Sequence, residues 1–287
     1  MTNQKKGMLW IIIATFFFSL MGSFVKLGAA NFSSIELVFY RSFISLLFLL
    51  TYIVMSQKKL KTPYLKKQIS RGIVGFLSLA FFFYAIVNLN LGSAMTLNYT
   101  SPIFLGFFLP FILHQKIKKS ILLCTIFGFI GTLLILNPHG DWQSWFAGLV
   151  GLISGVGAAL AYIHVIQLSK LNEPDWRTVF YFTLISTLGS GLWIVFTDYQ
   201  KLEWTDIWIL FPLGFSATIA QIAMTRAYRL GNTLVIGTLS YLTIIFSGII
   251  SLLYFDEAMR IEDVFGAFLI IISGAIASKV SLKSRIN

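Results

Sequence analysis

The chain has 287 residues, of which 57% are hydrophobic and only 11% are charged, and its formal net charge is +11. A soluble domain normally carries about 25% charged residues, so this composition excludes a soluble protein and indicates one that lies in a lipid bilayer. The single cysteine, Cys124, excludes an intramolecular disulfide and supports neither a zinc nor an iron–sulfur site.

Ten apolar segments follow one another along the chain. About 20 apolar residues cross the roughly 30 Å of hydrocarbon as a helix, and these segments are continuously apolar rather than alternating as in a β-barrel. The sequence therefore predicts an all-α membrane protein with ten transmembrane helices, the first being a membrane helix rather than a cleaved signal peptide. The predicted helices lie near residues 8–27, 34–55, 71–88, 92–113, 119–137, 146–168, 177–197, 206–226, 232–254 and 261–280.

The fourth and ninth segments contain related sequences. LNYTSPIFLG at 97–106 and LSYLTIIFSG at 239–248 share Leu, Tyr, Ile, Phe and Gly at a constant offset of 142. Each half of the chain would hold five helices, an odd number, so the second half must enter the membrane from the opposite face. The sequence predicts two inverted five-helix repeats, at 1–141 and 142–287. Inverted repeats place a substrate site near the midplane between the halves and move it by alternating access.

Lys and Arg are distributed unevenly among the predicted loops. When both termini are placed in the cytoplasm, 18 of the 22 Lys and Arg fall on the cytoplasmic side, as the positive-inside rule requires. The loop at 57–71 holds six of them, including Arg71, and is expected to touch anionic membrane lipids. This distribution explains the net charge without a nucleic-acid partner and predicts that both termini lie inside.

Several phrases, in this order, resemble the EamA-domain branch of the drug/metabolite transporter superfamily, of the ten-helix exporter type. They are FFFSLMGSFVKL with ELVFYR, then FYAIVNLNLGSAMTLNYTSPIF, and then MTRAYRLGNTLVIGTLSYLTIIF with FDEAM. The resemblance implies a multi-pass secondary transporter of the bacterial inner membrane that moves a small organic solute outward, with helices four and nine lining its cavity. The chain departs from the pattern at His114-Gln115-Lys116, where the second half has Glu257.

Three charged residues fall inside predicted membrane helices, where a charge is costly and marks a functional site by default. Lys26 and Glu36 flank the turn at Asn31, and either form an ion pair or take part in gating or binding. Arg41 lies about seven residues, roughly 10 Å, into the second helix. Its planar fork of donors suits a carboxylate or phosphate. The alternative is a structural arginine that caps carbonyl groups or pairs with Glu36.

Polar residues in helices four, eight and nine are further candidates. Tyr99 and Tyr241 occupy equivalent positions in the two halves, and they either line a central cavity or pack one repeat against the other. Asn98 adjoins Tyr99, and Gln221 is a polar residue at mid-membrane depth in helix eight. The predicted substrate-binding residues are thus Lys26, Glu36, Arg41, Asn98, Tyr99, Gln221 and Tyr241.

Other motifs carry weaker predictions. Pro102 and Pro212 fall within predicted helices and suggest kinks. A stripe of small residues in helix six, including Gly151 and Gly155, indicates close helix packing and is weakly compatible with a homodimer. No HExxH motif or phosphate-binding loop is present, so the sequence predicts no catalytic residue, metal or cofactor.

The sequence therefore predicts a transporter that exports an amphipathic metabolite bearing a carboxylate. The alternatives are uptake of S-adenosylmethionine or a similar metabolite and, more remotely, an intramembrane enzyme that modifies lipid.

The predicted topology can be tested by cysteine labelling. After removal of Cys124, a Lys61→Cys variant should resist an impermeant thiol reagent added to intact cells and react after the membrane is opened, because the basic loop is predicted to face the cytoplasm. A cysteine placed at Gln200 should give the reverse result. Labelling of Lys61→Cys from outside intact cells would contradict the topology.

Overall fold

A computed structural model of the chain describes residues 3–112, 127, 130, 131, 134, 142–197, 199–256 and 260–283. The predicted fifth helix, apart from four isolated residues, lies outside the described residues, as do Cys124, the corner at 114–116 and Glu257. The described helices are α1 (Asn3–Gly28), α2 (Ser34–Met55), α3 (Leu65–Asn88), α4 (Leu91–Asn98), α5 (Ser101–Ile112), α6 (Trp142–Lys170), α7 (Asp175–Val195), α8 (Ile207–Leu230), α9 (Thr233–Leu239), α10 (Leu242–Tyr254) and α11 (Ile261–Lys283).

Among the described residues, eight helical spans are long and apolar enough to cross a membrane. Many large apolar side chains remain exposed on the outside of the bundle, including Val54 at 73% and Leu192 at 64%. Trp204 and Trp208, near the start of α8, are more than 80% exposed. A soluble protein would not present so much contiguous apolar surface to water, whereas a bilayer solvates it.

The predicted fourth and ninth spans are present at Leu91–Ile112 and Val235–Tyr254, and each is interrupted by a short break in the helix. The first break falls at Tyr99 and Thr100 and the second at Ser240 and Tyr241, so the two breaks share the equivalent tyrosines of the repeated sequence. Pro102 contributes to the first break because it has no N–H with which to continue the helical ladder. Both tyrosines are buried, which fits the rule that irregular backbone at membrane depth is tolerated only inside protein or along a cavity.

Helices of the first half pack mainly against helices of the second half. The main contacts are those of α1 with α8, of α3 with α6 and of α2 with α7. The short helix α4 packs against α10, so the two broken segments also meet. In the predicted repeats, α1, α2 and α3 of the first half correspond to α6, α7 and α8 of the second. The α1–α8 contact is therefore equivalent to the α3–α6 contact, and the α2–α7 contact is equivalent to itself. Among the described residues, the core is therefore built mainly between the halves.

The small-residue stripe of α6 is used inside this bundle. A Cβ atom added at Gly151 would lie 3.2 Å from side-chain atoms of Ala85 and Leu97. A Cβ atom at Gly155 would lie 2.8 Å from the carbonyl oxygen of Leu97 and 3.0 Å from that of Asn98. These glycines let α6 approach the first helix break closely, so intramolecular packing accounts for the stripe.

Helix α3 begins earlier than the sequence predicted, at Leu65 rather than near residue 71. Its first turns carry Lys66 and Lys67, which are exposed, whereas Gln68 and Arg71 on the other face are buried. The basic side chains lower the local hydropathy, and for this reason the first turns of α3 were predicted to be part of the loop. Arg71 consequently belongs to the helix and to the protein interior rather than to the loop.

The close approach of Gly155 to the first break gives a stability prediction. Gly155→Ala should lower the melting temperature of the detergent-purified protein, because overpacking of this kind costs about 1–3 kcal/mol. Gly106→Ala in α5 is the matched control, since a Cβ atom there would meet no atom within 4 Å among the described residues. Equal melting temperatures for the two variants would contradict the described packing.

Candidate functional site

A central cavity of about 70 Å³ lies where the two halves meet. Its walls come from α1, α2, α3 and the first helix break on one side and from α6, α7 and α8 on the other. The polar residues that line it are Arg41, Arg71, Ser78, Asn98, Tyr99, Tyr162 and Gln221. The remaining walls are mostly aromatic side chains and methionines, so the cavity combines a few convergent polar groups with an apolar lining, as small-molecule sites commonly do.

Arg41 projects from α2 into this cavity and is 1% exposed. Its Nη2 donates a hydrogen bond to Oε1 of Gln221 in α8, at 3.4 Å. Its Nε and Nη1 atoms are buried without an acceptor among the described residues. The structure therefore brings Arg41 and Gln221, both predicted as site residues, together across the interface between the halves.

Arg71 is a second buried arginine in the same cavity, and the sequence prediction missed it. Its side chain is 2% exposed, and its Nε and Nη1 atoms also lack a described acceptor. The missed signal is a stripe at helical spacing, because Arg71, Gly75, Ser78 and Phe82 are separated by three or four residues and line one face of α3. Gly75 makes room for the guanidinium, since an added Cβ atom there would meet Nη1 of Arg71.

Phe182 of α7 joins the two arginines. The guanidinium carbon of Arg71 lies 4.0 Å from the centre of the Phe182 ring, and that of Arg41 lies 5.1 Å from it. Both distances fall within the range of a cation–π interaction. The two guanidinium carbons are consequently no more than about 9 Å apart. Two like charges at this upper limit repel by about 2 kcal/mol at an effective dielectric constant of about 20, and they repel more strongly if they are closer.

The first helix break supplies Asn98 and Tyr99 to the cavity. Nδ2 of Asn98 donates to Oγ of Ser154 in α6 at 2.9 Å, and Oγ of Ser78 donates to the carbonyl oxygen of Ser154 at 2.8 Å. These bonds fix the amide of Asn98 between α3 and α6.

Tyr241 lies in the same buried cluster as Tyr99, although it does not line the central cavity. Its hydroxyl oxygen and that of Tyr228 are buried without a partner among the described residues. Tyr228 stacks on Tyr162 of the cavity wall, with ring centres 5.1 Å apart. The structure thus places Tyr241 in the buried core but outside the described lining of the cavity.

Lys26 and Glu36 lie near one end of the bundle and do not line the central cavity. Oε2 of Glu36 accepts from the backbone N–H of Ser33 at 2.8 Å, and Oε1 accepts from that of Gln200 at 2.7 Å. Nζ of Lys26 donates to the carbonyl oxygen of Leu89 at 2.6 Å. None of the hydrogen bonds of Glu36 involves Lys26. Glu36 acts instead as the capping-box residue of α2 and ties it to the loop before α8.

The opposite end of the bundle is held by charged groups. Glu173 accepts hydrogen bonds from Thr62, Gln68 and Arg177 at 2.9 to 3.1 Å. Nη2 of Arg177 also donates to the carbonyl oxygen of Lys59, so the basic loop is fastened to α7. This network links the loop between α2 and α3 to the second half of the chain.

A larger groove of about 400 Å³ lies near the start of α7, between α2 and α8. Asp175 forms ion pairs there with Arg226 at 3.1 Å and Arg229 at 3.0 Å, so its charged groups already have partners. The central cavity is the stronger candidate site, because its two arginines lack such partners and because both halves contribute to it. The described residues contain no group of three or more His, Cys, Asp or Glu that could hold a metal ion.

Comparison with known proteins gives one family and several relatives. The model of the EamA-like transporter family matches residues 5–137 and again 145–278. The pseudopaline exporter CntI of Pseudomonas aeruginosa (strain UCBPP-PA14) is 29% identical over 272 residues, covering 94% of each chain. The S-adenosylmethionine uptake transporter of Rickettsia prowazekii is 23% identical over 92% of this chain and 90% of its own length. One solved crystal structure shares the fold, with a TM-score of 0.71, 16% identity and coverage of 96% of this chain and 98% of that chain.

The proximity of the two helix breaks can be tested by crosslinking. In a protein lacking Cys124, Tyr99→Cys combined with Tyr241→Cys should crosslink with a short bifunctional thiol reagent, because both side chains belong to one buried cluster and α4 packs on α10. Tyr99→Cys combined with Trp208→Cys is the control, since Trp208 is 82% exposed on the outside of the bundle. Crosslinking of the control pair alone would contradict the described arrangement.

Proposed function

The chain belongs to the EamA-like transporter family, and from this premise we propose that it is a secondary transporter of the bacterial inner membrane that exports a small, carboxylate-bearing organic metabolite. The central cavity is the proposed transport site, and alternating access of its two halves is the proposed mechanism. The family match in two successive blocks and the transporter relatives support this proposal.

The proposed architecture is ten membrane helices arranged as two inverted five-helix repeats, with both termini in the cytoplasm. The division of the family match into residues 5–137 and 145–278 supports the duplication. Two features support a twofold relation between the repeats: the helix contacts that exchange when the halves are swapped, and the helix breaks that share the equivalent residues Tyr99 and Tyr241. The positive-inside distribution of Lys and Arg supports the orientation.

The burial of Arg41 in the cavity is the observation that best supports a carboxylate-bearing substrate. A permanently charged guanidinium in the centre of an apolar bundle requires an anionic or strongly polar partner. Gln221 supplies one weak hydrogen bond, and two further donor atoms remain directed at no described acceptor. A carboxylate matches the planar fork of an arginine and would supply the missing acceptors.

The direction of transport rests on the relatives. The relative at 29% identity over 94% of the chain is named as an exporter, and this supports export. The more distant S-adenosylmethionine uptake transporter supports uptake as a second candidate. An intramembrane lipid-modifying enzyme draws no support from the site, since arginines, tyrosines and amides converge there rather than an acid and base pair.

The proposed function predicts the behaviour of a loss-of-function strain and of the purified protein. Cells lacking the protein should accumulate a carboxylate-bearing metabolite and release less of it, as measured by metabolomic comparison of cells and medium. Proteoliposomes should carry the labelled metabolite unchanged, without nucleotide or lipid acceptor. Chemical conversion of the labelled metabolite would indicate an enzyme. Net uptake of the metabolite by wild-type cells, but not by cells lacking the protein, would favour an importer.

Arg41 provides the residue-level test. Arg41→Ala should abolish transport while membrane insertion and yield stay normal, because the substrate carboxylate loses its counter-charge. Lys67→Gln is the matched control, since it removes a positive charge from an exposed position and should leave transport unchanged. Normal transport by Arg41→Ala would make the arginine structural and would remove the main support for a carboxylate substrate.

A further inference from the structure

We infer that the transported solute carries two carboxylates and that Arg41 and Arg71 bind one each in the central cavity. The inference rests on the proposed function, because it takes the central cavity as the transport site. It goes further by assigning a second anchor, Arg71, and by restricting the substrate class from carboxylates in general to dicarboxylates.

The first observation is the number of unused donors. Two side-chain nitrogen atoms of each arginine, Nε and Nη1, are buried and meet no acceptor among the described residues. The side-chain nitrogen of Gln221, Nε2, is likewise buried without a described acceptor. Buried donors of charged groups are normally satisfied, since leaving them unpaired forfeits their solvation. Five donor atoms without acceptors on three cavity residues indicate a ligand with several acceptor oxygens.

The second observation is the contrast with the other arginines that the structure describes. Arg177 pairs with Glu173, Arg226 and Arg229 pair with Asp175, and Arg260 pairs with Asp263. Each of these four arginines is therefore in contact with a carboxylate of the protein, which Arg226 and Arg229 share.

The two cavity arginines lack this neutralisation. No Asp or Glu belongs to the described lining of the central cavity, and no described carboxylate forms a salt bridge with Arg41 or Arg71. Two like charges thus share an apolar interior without protein counter-charges. A ligand with one carboxylate would neutralise only one of them, whereas a ligand with two would neutralise both.

The third observation is the spacing of the two guanidiniums and the chemistry between them. Both lie over the ring of Phe182, so their central carbons are within about 9 Å of each other, a distance that a short carbon chain with a carboxylate at each end can bridge. Phe18, Met21, Phe82 and Met224 line the same cavity. This lining suits the organic skeleton of a dicarboxylate, whereas inorganic phosphate has no apolar body with which to fill it.

The experiment compares dicarboxylates with their mono-amides. Purified protein is titrated with dicarboxylic acids of four to seven carbons that carry no amino group, each paired with its mono-amide, and with inorganic phosphate. Binding is followed by thermal stabilisation. Each diacid and mono-amide pair has nearly the same shape and differs by one charge. At least one dicarboxylate should bind about tenfold or more tightly than its mono-amide, because the mono-amide offers the second arginine no charged acceptor and hydrogen bonds between charged groups are the stronger kind.

Variants then assign the second carboxylate to Arg71. Arg71→Gln should remove the preference for the dicarboxylate while binding of the mono-amide through Arg41 remains. Arg71→Lys keeps the charge but loses the planar fork, so it should fold as the wild type does and retain only part of the preference. Lys67→Gln, one helical turn earlier and exposed, should keep the full preference. Gel filtration and melting temperature report whether each variant folds.

The outcomes separate this inference from the proposed function. Equal binding of each dicarboxylate and its mono-amide, or an unchanged preference in folded Arg71→Gln or Arg71→Lys protein, would overturn the dicarboxylate inference alone. Phosphate binding that depends on both arginines, with no preference for any dicarboxylate, would also overturn it. Failure of every carboxylate to bind would count against the carboxylate substrate itself, and therefore against the proposed function.

Discussion

The burial of two permanently charged guanidiniums in an apolar bundle is the constraint around which the central cavity is organised. Removing such an ion from water costs several kcal/mol even after relaxation. The protein offsets part of this cost with the Phe182 ring, which contacts both guanidiniums, and with one amide from Gln221. It supplies no described carboxylate at the cavity. This incomplete compensation distinguishes the cavity from the salt-bridged ends of the bundle and explains why the site is suited to an anion.

The backbone around the cavity is shaped by the same requirement. Gly75 leaves space beside Arg71, and Gly155 lets α6 reach the break that presents Asn98 and Tyr99. A continuous fourth helix would keep its carbonyl groups within its own ladder, whereas the break lets side chains and backbone of residues 98–100 meet α6. The second break, at Ser240 and Tyr241, contributes no residue to the described lining of the cavity. The duplicated sequence therefore produces the same backbone irregularity twice, but the described cavity is lined by only one copy.

The sequence predicted the membrane class and most helix positions because about 20 apolar residues are needed to cross hydrocarbon, and such runs are visible without tertiary information. Depth within a helix likewise identified Arg41 and Gln221, since a polar residue at mid-membrane must face protein. The burial of Arg71 was not predicted, because hydropathy averages over all faces of a helix. The exposed neighbours Lys66 and Lys67 lower that average, so the buried face of the helix was not recognised. The contact of Phe182 with both arginines was not predicted, because an aromatic residue in a membrane helix has no distinguishing feature until its neighbours in the fold are known.

The cavity also has a consequence for energetics in a polarised membrane. Its described lining carries two positive charges and no negative one. A dicarboxylate would cancel those charges, so the loaded carrier would cross the field as a neutral unit. The unloaded carrier would keep both charges, and an elementary charge that moves through the full potential gains about 2.3 kcal/mol per 100 mV. An inside-negative voltage would then act on the return of the empty protein to its inward-facing state, so the membrane potential could drive export without any co-transported ion.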